Sequence, residues 1–251
     1  MDSQVKKTIT DVISLFKGAK ESGLKQVPRT YLEKIVRIEN EIEKLQKSPK
    51  KTATSLESVD LLTLEEMVRK CTLCELSKGR KNTVFGEGSN HPILMLVGEA
   101  PGREEDIQGR PFVGRSGELL TKMLRAIGLE RKEVFITSVI KCRPPRNRTP
   151  RKEEIEACLP YLLKQIELLD PKLILCLGAT SARALLKTES SLSSLRGSFH
   201  DFDGRKILVT YHPAYLLRFG GSRLIDLKKQ AWHDLQMLQR EYEKIKMEME
   251  N

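Results

Sequence analysis

Apolar residues recur along this chain in two rhythms, and the change of rhythm marks its organisation. Near the N-terminus Leu32, Ile35, Ile38, Ile42 and Leu45 return at three- and four-residue steps, one face of a helix. Residues 4–18 and 30–47 therefore read as amphipathic helices, and the polar run 47–55, broken by Pro49, reads as a linker. Beyond it a helix over about 62–70 leads into Cys71. Short apolar runs rich in β-branched residues then alternate with amphipathic stretches. The expected strands are Ile93–Val97, Val134–Ile140, Leu173–Leu177 and Lys206–Thr210. The expected helices cover about 116–127, 151–169, 179–186 and 222–247.

Wholly apolar strands joined by helices predict a parallel sheet covered on both faces. The fold class is thus α/β, a three-layer α/β/α arrangement with a central parallel sheet and an N-terminal helical extension. Residues 1–60 are assigned to the extension and linker, and residues 61–251 to the α/β/α domain. In such sheets the ligand crevice lies beyond the carboxyl ends of the strands. Gly98–Gly102, Ser138–Cys142 and Tyr211–Tyr215 fall at those ends, so three distant segments are expected to converge on one site.

Composition narrows the class. A chain of 251 residues, 39% of them hydrophobic, holds one good-sized domain with a modest appendage. No stretch approaches the roughly 18–20 apolar residues of a membrane span, and the N-terminus lacks the apolar core of a secretory signal. The expected setting is the cytoplasm, at the nucleoid, and the expected state a monomer. Five cysteines there serve as ligands or core residues rather than as a disulfide framework. Of the net charge of +10, residues 1–60 supply little, with 12 Lys/Arg against 9 Asp/Glu. The densest basic run, Lys141–Lys152, has six positive residues and no acid. It is either solvated surface or, if held rigid, a phosphate-binding loop.

Cys71-Thr72-Leu73-Cys74 is a tight pair, Cys142 follows after 67 intervening residues, and Cys158 after 15 more. That spacing admits a zinc ion, an iron–sulfur cluster or plain thiols. Cys176, inside Leu173–Leu177, reads as a core residue.

The ordered motifs go further. Cys-x-x-Cys is followed by Phe85-Gly86-Glu87-Gly88, Gly98-Glu99-Ala100-Pro101-Gly102 and Gly109-Arg110-Pro111-Phe112-Val113-Gly114. Lys141-Cys142-Arg143-Pro144-Pro145 and His212-Pro213-Ala214-Tyr215-Leu216-Leu217-Arg218 complete the series. Over about residues 62–240 this closely resembles the family 4 uracil-DNA glycosylases, iron–sulfur members of the uracil-DNA glycosylase superfamily. The resemblance implies a [4Fe–4S] cluster on Cys71, Cys74, Cys142 and Cys158, and excision of uracil from DNA. It implies that Phe112 stacks on the flipped base and that His212 donates to the departing base. Gly98, Ala100 and Gly102 would supply backbone donors, Glu99 would order their loop, and Glu105 is favoured over Glu104 and Asp106 for orienting water or stabilising the sugar cation. DNA contacts would come from Arg143, Arg146 and Arg148 in the basic loop, and from Leu216 and Arg218 after His212.

One position departs from the pattern. Where the family has Asn in Ile-Thr-Asn-x-x-Lys-Cys, this chain has Ile136-Thr137-Ser138-Val139-Ile140-Lys141-Cys142. An Asn amide can accept from N3–H and donate to O4 of uracil at once, whereas a hydroxyl discriminates poorly. The expected substrates therefore include uracil and other deaminated bases. A DNA-binding homologue with little activity is the alternative, and residues 1–47 are a candidate surface for a protein partner.

Overall fold

In the computed structural model, which describes Leu56 and residues 58–250, the first element is helix α1, Leu61–Arg69. The Asp60 carboxylate caps it by accepting from the Thr63 N–H at 2.8 Å, and Leu64 and Val68 face inward. The helices expected over residues 4–18 and 30–47 and the linker after them lie outside the described residues.

The sheet has six strands in the order β1-β3-β2-β4-β6-β5. They are β1 Glu87–Gly88, β2 Leu94–Gly98, β3 Phe135–Ser138, β4 Leu173–Leu177, β5 Phe199–Phe202 and β6 Arg205–Thr210. The four central strands are parallel, and every residue of β2, β3 and β4 is buried. Both edge strands are antiparallel, so the sheet is mixed rather than purely parallel. These edges escaped the sequence reading because β1 has two residues and β5, Phe-His-Asp-Phe, is half-exposed. The signal for β5 was Asp203-Gly204, a two-residue hairpin turn with φ of 49° and 76°.

Side chains alternate across the sheet. Leu94, Leu96, Ile136, Leu173, Leu175 and Leu208 pack with Leu120 and Leu124 of α3, Arg115–Ala126, and with Leu235 and Leu238 of the last helix. Met95, Val97, Ile174, Cys176, Ile207 and Val209 pack on the other face. They meet α1, then Leu162 and Ile166 of α4, Lys152–Leu169, and Ala182 and Leu185 of α5, Ala179–Leu186. The three layers follow from that alternation. The other α-helices among the described residues are α2 Arg103–Gln108, α6 Leu192–Leu195, α7 Pro213–Leu216 and α8 Gly221–Glu250.

After β2 the chain moves to β3 on one side, whereas β4 lies on the other side of β2 and leads on to β6. The connections diverge at the carboxyl ends of β2 and β4, and a crevice opens there.

Candidate active site

A cavity of about 530 Å³ occupies that crevice. Glu99–Gly102 after β2, Ser138 at the end of β3, Gly178–Thr180 after β4 and His212 after β6 all border it. The expected convergence of three segments is present, and β4 adds a fourth that no sequence motif announced.

Phe112 forms one wall. It is a non-glycine residue at φ 50°, a conformation that costs energy for an aromatic residue and must be held by its surroundings. The holders can be named. Glu105 Oε1 accepts from the Val113 and Gly114 N–H groups at 2.9 and 3.0 Å. Arg131 donates to the carbonyls of Pro111 and Phe112 at 2.7 and 3.2 Å, and is itself paired with Glu87 at 2.6 Å. Two glycines make room. A Cβ on Gly98 would lie 2.6 Å from the Phe112 ring, and one on Gly117 would lie 1.8 Å from the Phe112 carbonyl oxygen. Gly98 thus acts by admitting the ring.

His212 stacks beside Phe112, with ring centroids 5.6 Å apart. It is the N-cap of α7, and its Nδ1 accepts from the Ala214 N–H at 3.1 Å. An accepting Nδ1 places the ring proton on Nε2. Burial pulls the imidazole down to about 4; the charge of Arg218 adds to the shift and Glu105 opposes it. The ring is therefore neutral at physiological pH and remains an N–H donor. Gly178, at φ 96°, lies against it, where a Cβ would come within 3.2 Å of His212 Cβ.

The two acids are engaged. Glu105 Oε2 accepts from the Gly102 N–H at 3.1 Å, so Glu105 holds three backbone N–H groups and ties the Gly102 and Phe112 turns together. That geometry is a brace, and it differs from the expected water-orienting role. It also uses the Gly102 N–H, which therefore does not serve as a free donor for a base. Glu99 accepts from the Thr180 hydroxyl, joining the turns after β2 and β4. Ala100 borders the cavity.

Ser138 is buried and borders the cavity, 3.0 Å from where a Gly98 Cβ would be. Beneath it lies Lys141, which sequence motifs left without a role. Its ammonium is buried and donates to the Ser138 carbonyl, Thr137 Oγ1 and Gln165 Oε1 at 2.6–2.7 Å. Burial draws it down to about 7, against the opposing effect of Cys158 and Cys142.

The expected DNA contacts divide. Arg148 borders the cavity and forms a two-pronged pair with the buried Glu154 carboxylate of α4 at 2.6 and 2.8 Å. Arg143 Nε donates to Asn147 Oδ1 at 2.7 Å, and Arg146 stands exposed at φ 55°. Asn147, also left-handed, borders the cavity. Leu216 is 3% exposed, packed with Tyr211, Leu227 and Ala231, whereas Leu217 is 42% exposed. One helical step turns Leu216 inward, so Leu217 replaces it as the apolar residue facing outward. Arg218 borders the cavity.

The four cysteines line a second, smaller cavity with Val68, Ile140 and Tyr161. Among the described residues no three His, Cys, Asp or Glu side chains gather tightly enough for one metal ion; the thiols border a space instead. Arg80 Nη1 donates to Cys142 Sγ at 3.2 Å and the Lys141 N–H to Cys158 Sγ at 3.3 Å. Burial raises the thiols of Cys74 and Cys142, and pushes Cys158 up to about 12. Arg80 had no sequence signal, since it lies 62 residues from the thiol that it touches. Cys176 is a buried core residue, as expected.

Residues 85–236 match the family described as the uracil DNA glycosylase superfamily. The chain is 48% identical over 170 residues to a type-4 uracil-DNA glycosylase of Pyrobaculum aerophilum, covering 64% of this chain and 86% of that one. It is 45% identical over 175 residues to its counterpart in Thermotoga maritima, covering 69% and 90%. For that of Saccharolobus solfataricus the identity is 48% over 171 residues, covering 64% and 78%. With the crevice, its braced aromatic and its neutral histidine all inside the matched region, the chain belongs to the uracil-DNA glycosylase superfamily and, within it, to the type-4 uracil-DNA glycosylases.

Proposed function

We propose that this protein excises uracil from DNA by hydrolysing the N-glycosidic bond, leaving an abasic site, and that it acts as a monomer where its substrate lies, at the nucleoid. A base inside a duplex is out of reach, so the nucleotide must be turned out into the cavity. Phe112 offers a face for the flipped ring. As the bond breaks, negative charge grows on the departing base, and a donor fixed in advance against that charge lowers the barrier. His212 is that donor. The Ala214 N–H on Nδ1 leaves the proton on Nε2, and burial keeps the ring neutral. This arrangement is the observation that carries the reading. Glu105 and Glu99 hold the turns in register, Leu217 is the apolar residue offered to the stack, and Arg143, Arg146 and Arg218 supply charge near the DNA backbone.

Cys71, Cys74, Cys142 and Cys158 are proposed to hold a [4Fe–4S] cluster. Four cysteines bordering one small cavity offer the all-thiolate donor set that such a cluster takes. The N–H donors on Cys142 and Cys158 favour sulfur that carries negative charge. When bound, the cluster supplies a structural cross-link between the segment after α1, the basic loop and α4.

Single-turnover assays on matched uracil- and cytosine-containing oligonucleotides test the activity. Removal of uracil alone supports it. DNA binding without cleavage would favour the second reading, a binding homologue whose activity was lost through Ser138.

A further inference from the structure

Helix α7, which carries His212 at its start, has four residues, too few to hold its own shape. What fixes it lies mostly outside the cavity; of the rings and charges involved, only Tyr215 borders it. Thr210, the last residue of β6, donates to Asp234 Oδ2 of α8 at 2.6 Å. Arg196 donates to the same oxygen at 2.7 and 2.9 Å, and to Gln230 Oε1 at 2.8 Å. The Tyr211 hydroxyl reaches Gln230 at 2.8 Å as well, and the Arg196 guanidinium lies 4.0 Å over the Tyr211 ring. From Tyr211 a ladder of rings continues. Tyr215 stacks on it at 5.6 Å, Phe219 meets Tyr215 edge-on at 4.9 Å, and Arg223 closes the far end 4.5 Å over Phe219. A cation therefore sits on each end of a three-ring stack. In sequence His212 falls between the first two rungs, Tyr211 and Tyr215.

The ion pair at the base of this ladder is a poor stabiliser. Asp234 is fully buried, burial raises its carboxyl, and its Oδ1 has no hydrogen-bond partner among the described residues. Buried pairs of this kind are often matched in stability by apolar residues of similar size. Its geometry, in contrast, is specific, since one guanidinium fixes the end of β6, the Tyr211 ring and α8 together.

We infer that Arg196, through Asp234 and Tyr211, is a positioning residue for the bond-breaking step, holding His212 in register with Phe112. This rests on the assignment of His212 as the donor. The test measures single-turnover excision and DNA affinity for the double variant Arg196→Met/Asp234→Leu, in native and His212→Ala backgrounds. The double variant should keep its melting temperature within a few degrees and its DNA affinity. Its rate on bound DNA should fall by about ten-fold, in the range expected for a misplaced group. In the His212→Ala background the same change should cost almost nothing, because the group that it positions is gone. Tyr211→Leu, which leaves the ion pair in place, should repeat the pattern and serves if the double variant does not fold. A native rate in both, or an equal loss with and without His212, overturns the inference. If His212→Ala itself leaves the rate intact, the assignment of the donor fails first, and the two failures are thereby told apart.

Discussion

The base cavity and the cysteine cavity lie back to back on one segment, Ser138–Cys142, yet they are built on opposite plans. The first is bordered by turns at strand ends, whose groups are braced by backbone hydrogen bonds and whose key imidazole is kept neutral. The second is bordered by thiols drawn from three separate segments, those of Cys142 and Cys158 buried and those of Cys71 and Cys74 half-buried. Lys141 joins them, with its ammonium on the Ser138 carbonyl and its N–H on Cys158. Damage should therefore pass from the cysteine cavity to the base cavity and hardly at all in reverse. In the proposed reading, one site does chemistry at the end of a scaffold that the other helps to hold.

The sharpest way to break this asymmetry is His212→Ala. Excision in a single turnover should fall by about 10² or more, the usual scale for loss of one charge-stabilising donor, with iron content unchanged and melting temperature lowered only slightly by loss of the α7 cap. A parallel loss of DNA affinity, with the rate on bound DNA intact, would reassign His212 to binding. Acid tests the same residue. With its imidazole held at about 4, the neutral donor should persist as pH falls past 6.5, and this contribution to activity should drop only near pH 4. The unfolded chain takes up that proton near 6.5 and the folded protein not until about 4. Stability should therefore decline as pH falls through that window, and His212→Ala should flatten the decline.

The reverse arm is Cys142→Ala. It should lower bound iron, melting temperature and excision together, with partial loss of the base cavity through Lys141. Anaerobically purified protein that contains stoichiometric zinc, and neither iron nor sulfide, would falsify the cluster assignment. Full activity in an iron-free Cys142→Ala protein would sink the one-way coupling.

What the sequence disclosed follows the same division. The central strands were legible because they are apolar on both faces, and the base cavity because its turns sit where such strands end. The edge strands were not, since half-exposed β5 has no apolar run. Roles set by long-range partners were also hidden. Arg148 looked like a phosphate contact until Glu154 claimed its charge, and Glu105 looked like a free acid until three N–H groups occupied it. Leu216 and Leu217 are equally apolar in sequence, and only the turn of α7 tells which faces inward. Lys141 and Arg80 read as two more basic residues in a basic chain.

A smaller effect is expected at Ser138, which borders the base cavity and whose carbonyl accepts from the Lys141 ammonium. A site without a matched polar partner discriminates less well than one built to hydrogen-bond its substrate. Ser138→Asn should raise single-turnover excision of uracil and narrow activity toward hypoxanthine and xanthine, while iron content stays constant. A native enzyme that is already fast and strictly uracil-specific, and not improved by Asn, would mean that another group reads the base. Asn147, at the rim of the same cavity, would then be the next residue to change.

The smallest effect separates two arginines of the basic loop. Arg146 is exposed and projects from a left-handed turn, whereas Arg148 is locked onto Glu154. A cation that neutralises a phosphate releases a counterion, so its loss lowers the salt slope of binding by about one. Arg146→Ala should therefore weaken binding to many sequences alike and reduce the slope by about that amount. Arg148→Ala should leave the slope nearly unchanged. Its cost should appear as a lower melting temperature, because the Glu154 carboxylate, 5% exposed, keeps the Arg151 N–H but loses its cationic partner. If Arg148→Ala flattens the slope as much as Arg146→Ala does, the pair with Glu154 opens on DNA, and the loop takes a different form in the complex. If neither variant changes the slope, the run is solvated surface, and the DNA backbone is held from the His212 side of the cavity by Arg218.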